Sequence, residues 1–162
     1  MNPHLADEDL HSEMLDKLIS LNVKGGQNSD GSQKDGFFKY EKGRPSAVYN
    51  IEKKEYVPIT DFQQKCDEKL GDLPKAHKPW KGIIGDPKKK DILQNYFNEL
   101  ADAKTFGTEL AKNYAKRARE IGLKLVNDKV ANSEDDVNTV LLTGFFHAYG
   151  PINDYLNWEE IK

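Results

Sequence analysis

The densest gathering of residues able to do chemistry is the stretch TGFFHAYGPIND, Thr143 to Asp154, with three aromatics, a histidine and a Gly-Pro pair. An imidazole titrates near neutral pH and glycine lets backbone approach a ligand, so the stretch has the makings of an acid-base site. What it lacks is a partner. His147 has no His, Cys or carboxylate at helical spacing to share a metal, and Asp154 lies beyond a proline. The residues therefore read as a corner between helices, with His147 a polar residue on it; no catalytic residue and no metal ligand is assigned. A second candidate is the basic face Lys112, Lys116 and Arg119, joined in sequence by Arg117. Three cations on one helical face can meet the phosphates of a cofactor such as coenzyme A. An amphipathic helix also needs a solvated side, and that is the plainer reading.

The remaining reactive residues are isolated. Cys66 falls in register with Phe62 and Leu70, which predicts a core position rather than a nucleophile. His77 stands near Trp80, where packing explains it; His11 sits on the polar side of a helix, and His4 in a terminal segment expected to lack order. Neither G-x-G-x-x-G nor a P-loop is present, so the chain has no glycine turn with which to cradle a dinucleotide phosphate. PKKK, Pro87 to Lys90, is too short for a nucleic-acid patch.

Composition narrows the partners. Across 162 residues, 24 basic side chains face 27 acidic ones and the isoelectric point is near 5.8, which is not the footprint of a nucleic-acid binder. One cysteine cannot form an internal disulfide, which points to a reducing compartment. The acidic N-terminus has no apolar core of a secretory signal, and no apolar run approaches the roughly 18 residues of a membrane span. The expectation is a soluble, cytoplasmic protein whose partners are proteins or small molecules.

Periodicity then supplies the elements that hold these residues. Leu10, Met14, Leu18 and Leu21 form one helical stripe over residues 9–23, ended by the Gly, Ser and Asn content of Lys24 to Gly36, read as a flexible loop. FFKYEKGRPSAVYNIEKKEYVPI is β-prone and broken by two turns, which predicts short strands or a hairpin. Thr60 is placed to cap a helix that stops at Gly71. Asp86 and Pro87 form a helix start, after which apolar residues from Leu93 to Leu125 recur every three or four positions. That is one long amphipathic helix, or two broken at Gly107. Ser133, with Asp136 three residues on, opens another helix running to about Gly144, and Pro151 is expected to begin the next. The fold expected is mainly α: residues 1–36 a helix and flexible loop, 37–60 a short β element, 61–162 a helical domain.

Two stretches together resemble the helical domains of 3-hydroxyacyl-CoA dehydrogenases. DDVNTVLLTGFFHAYGPIND is similar to a family segment of the form D-I-D-x-A-M, a glycine, an aromatic turn and G-P-F, matched at Asp136, Val137, Asn138, Gly144, Gly150 and Pro151. DGFFKYEKGRPSAVYNIEKKEYVP resembles the family's G-F-Y-K-Y segment, matched at Gly36, Phe37 and Phe38, which leads through an L-x-x-x-E-Y-x-P linker and a D-L-P stretch, here Asp72 to Pro74, to a second helical domain. The order and spacing agree over roughly residues 10–155. Departures are Ile152 in place of phenylalanine, the missing paired glycines before Gly36, and the absence of an Asn-Arg pair in TELAKNYAKRAREIG.

The resemblance implies the carboxyl-terminal portion of an enzyme that oxidises an L-3-hydroxyacyl-CoA with NAD. Its Rossmann domain and His/Glu catalytic pair would precede residue 1. This chain would then bind no NAD, be inactive alone, and contribute domain packing, closure of the substrate cleft or subunit association. Its partner would be the missing Rossmann portion or a second copy. A free-standing helical module, binding acyl-CoA or a protein through Lys112, Lys116 and Arg119, is the alternative. On it, His147 and the basic face are ligand contacts.

Overall fold

The computed structural model describes residues 12–161. The chain divides into two compact units, one running to Glu68 and the other beginning at Lys69.

In the first unit, Ser12 caps α1 (Glu13–Ser20) by accepting the Leu15 N–H at 3.4 Å. Leu18 is buried, whereas Met14, Leu15 and Ile19 are exposed. Leu10, His4 and His11 lie outside the described residues. The glycine-rich segment that follows is a closed hairpin-like loop rather than a free one. Gln27 bridges Gln33, and the Lys34 amide donates to the Gly26 carbonyl at 2.9 Å. Gly36 sits against Gly25 so closely that a Cβ on it would lie 2.5 Å from the Gly25 Cα.

The sheet is an antiparallel meander of β1 (Phe38–Glu41), β2 (Arg44–Asn50) and β3 (Glu55–Pro58) in the order 1-2-3. Lys42 and Gly43, both with positive φ, turn β1 into β2, the two-residue geometry that matches strand twist. Tyr49 and Tyr56 face each other across β2 and β3, and the Tyr56 hydroxyl donates to the Gly36 carbonyl at 2.8 Å.

A 3-10 turn (Ile59–Asp61) leads to α2 (Gln63–Leu70), which ends where Gly71 takes φ +78°. This helix buries none of its residues, so Cys66 is exposed and not the core residue expected. Thr60 does not cap it; its hydroxyl donates to the Asp61 carboxylate instead.

In the second unit, α3 (Trp80–Ile83) precedes α4 (Lys89–Asp102) and α5 (Phe106–Asn127). Asp86 and Pro87 form a turn before α4 rather than its first residues, and Asp86 accepts the Lys88 N–H at 2.8 Å. The apolar run expected as one helix or two is two, but the break falls at 103–105 and not at Gly107. Ala103 is extended, and Thr105 accepts the Thr108 N–H to start α5. α6 (Glu134–Thr139), capped by Ser133 at 3.1 Å to the Asp136 amide, continues as a π-helical turn (Val140–Gly144). No helix starts at Pro151; residues 151–161 form turns held by Asn153, whose backbone carbonyl accepts the Trp158 indole N–H at 2.6 Å.

The core of this unit is Ile83, Leu93, Tyr96, Phe97, Leu100, Ala148 and Leu156. Phe97 is its centre, stacked flat on Tyr155 at 4.9 Å and edge-on to Tyr149 at 5.0 Å. Six helices and a complete three-stranded sheet make the described protein mixed α and β, and this corrects the mainly α expectation. The β-branched and aromatic segment pairs along its full length, while the C-terminal residues expected as helix are spent on turns. No helix among the described residues is long and apolar enough to cross a membrane.

Candidate functional site

The Thr143–Asp154 stretch is built around Asn138, the penultimate residue of α6. Its amide nitrogen donates to the Ile152 carbonyl at 2.8 Å, and its amide oxygen accepts the Ile152 N–H at 3.1 Å. One side chain thereby satisfies both backbone groups of a residue fourteen positions on. The approach leaves no room beside it. A Cβ on Gly150 would lie 2.1 Å from Asn138 Oδ1 and 2.3 Å from its Cγ. Gly150 is thus needed for close approach and not for an unusual backbone angle. Neither Gly150 nor Gly144 has positive φ; the left-handed residue of the corner is Phe146, at φ 54°. Ile152 is buried against Gly122 of α5, where a Cβ would meet its Cγ1 at 3.0 Å.

Holding the corner this way opens a groove of about 1040 Å³ between it, α5 and α3. Ala118, Ile121 and Leu125 of α5, with Val137 and Leu141, make one end aliphatic. Trp80, Lys81, His147 and Tyr149 line it as well, and the Trp80 and Tyr149 rings meet edge-on at 5.8 Å. Burial, with Tyr96 and Tyr114 nearby, pushes the Tyr149 hydroxyl up to about 12, so it is a proton donor at any physiological pH. His147 is exposed at the rim. Its backbone N–H donates to the Leu141 carbonyl, and its ring lies 6.5 Å from that of Phe145. Phe145 and Phe146 project into solvent, 66% and 69% exposed.

The basic face of α5 is spent inside the unit. Lys112 donates to the Ala101 and Ala103 carbonyls at 3.1 and 2.7 Å, closing the C-terminus of α4. Lys116 donates to the Ile161 carbonyl, and the Arg119 guanidinium stands 5.7 Å over Trp158. The three cations are each held by a different partner and do not converge on a common point. In the first unit, Gly36 is buried while Phe37 and Phe38 are edge-on neighbours at 4.9 Å, each partly exposed. His77 packs against Trp80 and Tyr96 with its Nδ1 buried and unpartnered.

Among the described residues no group of three or more His, Cys, Asp or Glu is placed to hold a metal. Nor do they fit a dinucleotide. The strands form an antiparallel meander, and no glycine-rich turn joins a buried strand to a helix. No hydride-transfer step is assigned to them.

Sequence reasoning found the corner and the stripe along α5 but missed that they face a common groove. Trp80, Lys81 and Tyr149 carried no motif; the one available signal was aromatic residues flanking the α5 stripe in a chain otherwise rich in charge. Compared with protein-family models, curated proteins and solved structures, the chain matches none.

Proposed function

We propose that this chain is a carboxyl-terminal portion of an NAD-dependent 3-hydroxyacyl-CoA dehydrogenase, serving to pack against and close the part of the enzyme that holds NAD. The observation that carries the reading is the Asn138 clamp. Asn138 and Gly150, both matched to the family segment on sequence, meet in a contact that only glycine permits, and Asn138 holds both backbone groups of Ile152 through two hydrogen bonds. A chance resemblance has no reason to mark residues that lock together in space. Phe145 and Phe146 then become the surface offered to the partner, since adjacent large aromatics exposed beside a further exposed Val140 gain by burial. The cytoplasm is the proposed compartment, on the strength of the single cysteine.

The test is reconstitution. The chain should show no NADH production from 3-hydroxybutyryl-CoA by itself, and should co-purify with a dehydrogenase's NAD-binding portion and restore its turnover. Phe145→Asp with Phe146→Asp should abolish both. Turnover by the chain alone, or full turnover of the NAD-binding portion without it, rejects the reading.

A further inference from the structure

The groove has a direction. Along α5 the positions from Tyr114 to Leu125 extend roughly 16 Å at the rise of an α-helix. Near one end, the Trp80 and Tyr149 rings pack on the Phe97 core together with Ala111 of α5, and the two rings meet edge-on at 5.8 Å. At the other, Val137 approaches Gly122, and Leu125 and Leu141 complete an aliphatic wall. The aromatic end carries three groups able to donate a hydrogen bond: the Tyr149 hydroxyl, the Trp80 indole and the Lys81 ammonium next to it in sequence. Lys81 is the groove's one fixed charge, exposed, and makes no ion pair among the described residues. No carboxylate lines the groove.

An aliphatic trough with cationic and neutral donors at one end and no acid anywhere is complementary to one kind of small molecule. We propose that the groove binds an amphipathic anion, its apolar body along α5 toward Leu125 and its single anionic head at Lys81, Trp80 and Tyr149. A cation would meet Lys81 as a like charge, and a neutral alcohol would leave Lys81 unused. A head with several charges would find one cation in the groove lining, Lys81, while Lys112, Lys116 and Arg119 of α5 are held elsewhere in the unit. The proposal does not rest on the dehydrogenase reading, since every group it uses belongs to this chain.

The experiment is titration of the purified chain, below micelle-forming concentrations, with decanoate, decyl sulfate, 1-decanol and decyltrimethylammonium. Trp80 fluorescence and calorimetry give the affinities. Both anions should bind about tenfold or more tighter than the alcohol, and the cation should bind weakest. Lys81→Glu, an exposed position that leaves folding intact, should remove the preference for anions. Ala118→Trp should block all four probes, with the circular dichroism spectrum unchanged as the control for folding. Equal affinity for anion, alcohol and cation would reduce the groove to an unspecific greasy surface and overturn the proposal. So would an anion affinity indifferent to Lys81→Glu, or no anion binding at all. Loss of reconstituted dehydrogenase activity bears on the other reading only, because none of these titrations measures turnover.

Discussion

Gly150 is the residue whose replacement separates the clamp from a generic turn. Alanine there would bring a Cβ into the Asn138 amide, so Gly150→Ala should cost about 1–3 kcal/mol by overpacking, whereas Pro151→Ala should cost less than about 1 kcal/mol. Asn138→Ala leaves the Ile152 N–H and carbonyl without their partner, and the two changes made together should cost less than their sum because both break one contact. Urea melts of the four variants decide it; strict additivity would mean that Asn138 and Gly150 do not meet. His147→Gln, on an exposed rim position, should move stability by no more than about 0.5 kcal/mol. Tyr149 supplies the pH dependence. Burial raises its folded pKa from the ordinary 10.0 of a tyrosine to about 12, so the unfolded chain loses this proton first. Its contribution is complete below about pH 10 and is lost as pH climbs toward 12; Tyr56, Tyr96 and Tyr155, also raised, act in the same direction. Urea midpoints should therefore fall with alkaline pH, and less steeply in Tyr149→Phe. An unchanged slope in that variant would place the ring in water.

The joint between α4 and α5 shows what element-level reasoning can and cannot see. The apolar period ran unbroken from Leu93 to Leu125, and glycine drew the expected break to Gly107, yet the chain breaks at Ala103 to Thr105. Thr105 was the stronger signal. Its hydroxyl accepts the Thr108 amide at 3.2 Å while Thr108 donates back to the Thr105 carbonyl at 2.9 Å, and Lys112 ties off the carbonyls that α4 leaves open. Gly107 is small for another reason: a Cβ on it would lie 2.9 Å from the Leu70 carbonyl oxygen. Thr105→Ala should accordingly cost about 1–2 kcal/mol, as loss of an N-cap does, with the helix content of the folded state unchanged. A neutral result in thermal melts would mean that packing alone positions α5. Where a side chain acts on its own backbone, as at Ser133, the element was legible in the sequence. Where it acts on a distant carbonyl, as Lys112, Lys116 and Asn138 do, nothing in the local pattern told a tether from a solvated face. The groove was hidden for the same reason, since its walls come from three separated segments. The misplacement of Cys66 has a different origin: its spacing with Phe62 and Leu70 is helical, but α2 buries none of its residues.

At the scale of the whole molecule, the two units carry their own means of holding together, and this makes the second one testable alone. The aromatic core around Phe97 draws every buried member from residues 83 to 156, and the partly buried groups packed on it run from Ala76 to Ile161. None comes from the sheet. Within the first unit the sheet is held by its cross-strand ladders, the Tyr49–Tyr56 pair and the Tyr56 bond to Gly36. A chain of residues 61–162, which keeps α2 whole, retains each of the hydrophobic contacts and caps described for α4, α5 and α6. It should melt cooperatively in urea and keep a near-ultraviolet signal from Trp80 and Trp158, both fixed against aromatic or cationic partners. It should also bind decanoate with the affinity of the full chain, because the groove draws no residue from the first unit. A broad transition with no near-ultraviolet signal would show that the core around Phe97 needs the first unit to order it. The division at Glu68 would then mark a change in contact density and not a boundary of folding.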